Sequence, residues 1–175
     1  SSAVRYFLNR PHKGERKAVD PERWARLARP GLVVPPGERI GLGFDGSRSD
    51  DSTALLGCWR GRVFVVRVWE RPLDGHGRPV ASWRVPRLEV RSVLEEAFDT
   101  WSVGRLFADP PKWDTEIESW QEAFGTDTEG KPVVLPFDTN QWKQMARACR
   151  RIDTAMAEAD GLVVEAMREG RDAPA

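Results

Sequence analysis

Residues 40–58 read IGLGFDGSRSDDSTALLGC. An apolar, strand-like run ends on Asp45, a loop of Gly, Ser, Arg and Asp follows, and a second apolar run begins at Thr53. A carboxylate at the mouth of a buried strand is costly for a core and useful for chemistry. A second such carboxylate is Asp109, after VGRLFA and before PPKW. Two acids at the ends of two separate strands point to a metal site.

Working outward from that stretch, the pattern predicts strands at Ile40–Asp45, Thr53–Trp59 and Val63–Trp69, the last two joined by a tight Arg60-Gly61 turn. The three make an antiparallel meander. Residues 70–88 read as an irregular insertion rich in Pro, Gly and Arg. Val90, Leu94, Ala97, Phe98 and Trp101 fall on one face of a helix over Glu89–Trp101. Val103–Ala108 is a fourth strand, and a crossover through a helix should make it parallel to an earlier one. A helix over 113–124 carries Trp113, Ile117, Trp120 and Phe124 on one side. A polar turn at Gly125–Lys131 leads to a fifth strand, Val133–Phe137. The last helix runs over Gln141–Ala159 with Met145, Cys149, Ile152 and Met156 on one face. The order β-β-β-α-β-α-β-α is that of an α/β, ribonuclease-H-like fold with a mixed five-stranded sheet flanked by helices.

The chain has 175 residues, 40% hydrophobic and 31% charged, which fits one soluble domain with a real core. No apolar run approaches the ~18 residues of a membrane span, so no membrane association is expected. The N-terminus has no secretory segment; it lacks a starting Met and opens as if cut from a longer chain. Residues 1–38 read as a linker or the tail of a preceding domain, and 39–175 as the folded domain. Cys58 and Cys149 sit in apolar-periodic segments and are expected to be buried free thiols of a reduced compartment. With only those two Cys plus His12 and His76, a structural zinc site is not expected. Most of the eight Trp are expected in the core or at an interface.

In the ribonuclease-H-like order the fourth strand lies beside the first and parallel to it. Asp45 and Asp109 would then project at one sheet edge, where ligand sites in open α/β sheets form. Paired carboxylates repel unless a cation neutralises them, and hard oxygen donors suit Mg²⁺ or Mn²⁺. Two such ions can orient a water and stabilise the leaving oxygen of a phosphodiester. Each acid also has a plainer reading: Asp-Gly is a common turn pair and Asp a favoured helix N-cap. Asp50 and Asp51 read as loop residues, with Asp51 a further candidate ligand.

Lys+Arg and Asp+Glu are 27 each, so net charge gives no support for nucleic-acid binding and the case rests on local patches. Lys143, Arg147 and Arg150 share a helix face that could track a DNA backbone, or simply be solvated. Arg78, Arg84, Arg87 and Arg91 form a second candidate patch.

Taken together, GLGFDGSRSDDSTALLGCW, SWRVPRLEV, FADPPKWDTEIESWQEAFG and DTNQWKQMARACRRI resemble the C-terminal nuclease domain of the large terminase subunit of tailed bacteriophages. The segments RYFLNRP and DPERWARLA resemble the link to that family's ATPase domain, so the likeness covers roughly 5–160. It implies a divalent-metal-dependent endonuclease that cuts concatemeric double-stranded DNA during packaging in the host cytoplasm. It also implies a portal protein and a small terminase subunit as partners, and makes Asp45 and Asp109 the catalytic and metal-binding acids. No Walker-type GxxxxGK[ST] occurs, so this chain is not itself the motor. The family adds a third acid late in the domain, beside a His and a Gly-Asp. Here the chain reads ADGLVVEAMREGRDAPA, with Asp160, Glu165 and Asp172 as candidates and Glu165 the further metal ligand considered. The C-terminus therefore reads as truncated. Two other readings stand beside the nuclease: a non-catalytic remnant that docks DNA or portal, and an actin-like kinase, which 175 residues with a single Asp-Gly-Ser turn fit poorly.

Overall fold

A computed structural model of the chain describes residues 19–47 and 52–168. Its first helix, α1 (Pro21–Leu27), starts on Asp20, whose side chain accepts a hydrogen bond from the Glu22 N–H. The sheet strands are β1 (Arg39–Asp45), β2 (Thr53–Trp59), β3 (Arg62–Trp69), β4 (Ser102–Ala108) and β5 (Val134–Pro136). Three helices complete the set: α2 (Arg87–Thr100), α3 (Asp114–Phe124) and α4 (Trp142–Arg168).

Strand order is β3-β2-β1-β4-β5. The β1–β2 and β2–β3 pairs are antiparallel, and β1–β4 and β4–β5 are parallel. The mixed five-stranded α/β sheet expected from the element order is the one observed, compatible with a ribonuclease-H-like layout. Alternation along β1 puts Ile40, Leu42 and Phe44 into the core and Gly41, Gly43 and Asp45 on the other face. Leu55, Leu106, Ala108 and Val134 join them, and Val90, Leu94 and Ala97 of α2 and Ile117 and Trp120 of α3 close the same core. Phe44 stands edge-on to Trp113 and Trp120, at 4.9 and 5.1 Å between ring centroids.

The opposite sheet face is open. Leu56, Val63, Val65, Val68 and Phe107 are all exposed there. This corrects the reading of Cys58 as buried: it lies opposite Gly41 on that open face and is an exposed free thiol. Cys149 is likewise free and exposed, and Ile152 on the same face of α4 is 58% exposed. Met145 and Met156, on the same face, are half-buried. Trp24 and Trp142 are exposed too, while Trp69, Trp113 and Trp120 are core residues.

The chain falls into two compact units. The sheet unit is Gly31–Arg147 and begins earlier than Arg39. Val34 is buried, its carbonyl accepts from Trp101 Nε1 at 3.3 Å, and the Gly37 N–H donates to the Thr100 carbonyl at 2.7 Å. The other unit holds α1 and the part of α4 from Ala148 on. Within it Arg26 grips Asp160 through two bonds of 2.8 and 3.0 Å, holding that carboxyl below its ordinary range.

Two segments with no regular pattern in the sequence share one device. Asp74-Gly75-His76-Gly77-Arg78-Pro79 and Asp127-Thr128-Glu129-Gly130-Lys131-Pro132 are both D-x-x-G-[RK]-P. In each, the Asp Oδ1 accepts from the N–H groups two and four residues on, at 2.8–2.9 Å. Each places its Gly at φ 73°. The insertion at 70–88 thus contains a closed turn rather than an irregular run.

Candidate metal centre

The parallel pairing of β1 with β4 sets Phe44 beside Ala108. One residue further, the Asp109 N–H donates to the Phe44 carbonyl at 3.1 Å, so the backbones carrying the two acids are tied together. Phe44 and Ala108 point into the core; Asp45 and Asp109, the next residues, turn to the open face. Both line one depression of about 250 Å³ with Gly43, Ala54, Leu56, Phe107, Phe137 and Thr139. Both acids thus lie at the C-terminal ends of adjacent parallel strands and line the same depression.

The loop after Asp45 is clamped at its base. Thr53, fully buried, accepts from the Ser47 N–H at 2.8 Å and donates to the Ser47 carbonyl at 3.3 Å. Trp113 Nε1 donates to the same carbonyl at 3.2 Å. The loop after Asp109 turns at Lys112, a non-glycine at φ 72°, and delivers Trp113 beneath Gly46. Asp109 is held from the far side: Thr139 donates from its N–H to Oδ1 at 3.1 Å and from its Oγ1 to Oδ2 at 2.6 Å. Asp109 therefore caps no helix; α3 has Trp113 at its N-cap. Thr139, Thr53 and Trp113 are the site residues that pattern reading misses. Nothing in the local sequence marks them, because each reaches the site only through the fold.

The donor set is all oxygen, which suits a hard divalent cation. Among the described residues no group of three or more His, Cys, Asp or Glu side chains gathers. The Asp45–Asp109 pair matches the one or two carboxylates Mg²⁺ commonly takes beside water and substrate phosphate. Asp50, Asp51 and Asp172 lie outside the described residues. Asp160 is committed to Arg26, and Glu165 is an exposed residue of α4 in the other unit.

The basic candidates divide. Lys143, Arg147 and Arg150 recur along one face of α4, exposed, and among the described residues none has an ion-pair partner. Arg84 is exposed. Arg87 is not available to a phosphate in this arrangement. It pairs with Glu116, donates to the Lys112 carbonyl at 2.8 Å and stacks 4.6 Å over the Trp113 ring. It braces the turn that carries Trp113. Arg91 pairs with Glu95 at 2.9 Å.

Two curated proteins are similar to this chain: the gene 13 protein of Mycobacterium phage D29 and that of Mycobacterium phage L5. Each is 30% identical over 174 aligned positions, covering 89% of this chain. These relatives are bacteriophage proteins. The chain spans 28% of their length. No protein-family model matches the chain, and no solved structure does. Among the described residues no helix is long and apolar enough to cross a membrane.

Proposed function

We propose that this chain is a divalent-metal-dependent endodeoxyribonuclease domain of the terminase large-subunit type, cutting double-stranded DNA during phage genome packaging. The observation that supports it is that Asp45 and Asp109 end adjacent parallel strands and line one depression. Asp45 and Asp109 would hold Mg²⁺ or Mn²⁺. When bound, the ion supplies charge neutralisation at the phosphodiester and an activated water. The residues' own part is to fix two carboxylates on a rigid strand pair, so that the scissile phosphate is placed without reorganisation. Lys143, Arg147, Arg150 and Arg84 would contact the DNA backbone, which positions the duplex without reading sequence. The phage relatives agree with this setting, and portal and small-subunit partners belong to the same reading.

Nicking of supercoiled plasmid tests it. The full chain is expected to nick with Mn²⁺, to stop on chelation, and to lose cutting in Asp45→Ala with its melting transition retained. Wild-type-like nicking by Asp45→Ala would sink the reading. A second reading, a DNA- or portal-docking module without cleavage, is favoured by one observation: no third acid joins the pair among the described residues. Metal-independent DNA binding with no nicking by the folded parent would select it.

A further inference from the structure

Thr139 is exposed, lies in the turn between β5 and α4, and spends both its polar hydrogens on one carboxylate. A carboxylate has about two acceptor directions on each oxygen. With Thr139 occupying one on Oδ1 and one on Oδ2, Asp109 is locked about its side-chain torsion and keeps one direction per oxygen for a cation. Thr139 is itself held. The Phe137 N–H donates to the Ala108 carbonyl at 2.8 Å, next to Asp109. Asp138 accepts from the Asn140 N–H at 2.9 Å and, through its carbonyl, from the Gln141 N–H at 3.2 Å.

We propose that Thr139 is the positioning residue of the metal centre: its hydroxyl orients Asp109 for the cation. This role rests on the metal-nuclease reading above. Groups that orient metal ligands typically change affinity about 10–100-fold when lost. The test is Mn²⁺ binding by the full chain, read from the electron paramagnetic resonance signal of free Mn²⁺, with thermal midpoints alongside. Thr139→Val, which keeps the shape and loses the hydroxyl, is expected to bind Mn²⁺ about tenfold more weakly or worse with an unchanged midpoint. Thr139→Ser is expected to bind like the parent. Parent-like binding by Thr139→Val overturns the role, as does Thr139→Ser binding as weakly as Thr139→Val. Failure of the parent itself to bind Mn²⁺ is a different result: it overturns the metal reading of the site and this role with it.

Discussion

Gly46 is a glycine because an indole lies against it. A Cβ there would clash with Trp113 Nε1 and Cδ1 and sit 2.7 Å from Phe44 Cε1. The Asp45-Gly46 pair, open in the sequence to reading as a simple turn, is thus where two loops and two aromatic rings converge under the site. Neither ring can shift easily inside a dense core. Gly46→Ala is expected to destabilise the sheet unit by about 1–3 kcal/mol, read from urea unfolding. A change within a few tenths would show that Trp113 gives way. The strand-end positions of Asp45 and Asp109 were legible at this scale because a carboxylate ending an apolar strand is conspicuous. Thr139 was not, because a Thr in a polar turn is ordinary until the fold brings it to Asp109 from 30 residues away in sequence.

In the β4–β5 connection Asp127 accepts from the Lys131 and Glu129 N–H groups and pairs with Arg105 of β4 at 2.8 Å. The Lys131 hydrogen bond first, then Arg105, hold its carboxyl down at about 2. A carboxyl whose folded pKa is depressed stabilises the fold above its unfolded pKa of about 4, and that contribution fades as pH falls towards 2. Asp127→Asn should therefore lower the thermal midpoint at pH 7, with the gap to the parent closing between about pH 4 and 2. A gap independent of pH would contradict the account. The strands and helices around these turns were readable to within a residue or two, because periods of two and of 3.6 dictate them. The exception is α4, which continues through Gly161 to Arg168 instead of ending at Ala159. One interior Gly costs only about 1 kcal/mol, and here the Arg26–Asp160 pair and the buried Val163 lie on either side of it. Periodicity also cannot say which face is covered. Cys58 and Cys149 follow the apolar pattern yet are exposed.

For the molecule as a whole, neutrality conceals local structure in the charge. The sequence balances 27 basic against 27 acidic residues. Arg87, Arg91, Arg105 and Arg26 are spent on acids of the fold, whereas among the described residues Lys143, Arg147 and Arg150 are not. If those three meet phosphates, changing all of them to Ala should cut the salt dependence of duplex binding, lowering the slope of log affinity on log salt by up to about 3. An unchanged slope would return that helix face to plain solvation.

The central claim is that Asp45 and Asp109 act as one metal-dependent centre. The most direct measurement is the Mn²⁺-dependent plasmid nicking rate of the parent, Asp45→Ala, Asp109→Ala and the double variant, all confirmed folded. Groups acting as a unit lose nearly everything at the first removal, so both single variants should fall to the same residual rate as the double. Independent, multiplicative losses, or full nicking in either single variant, would contradict a shared centre.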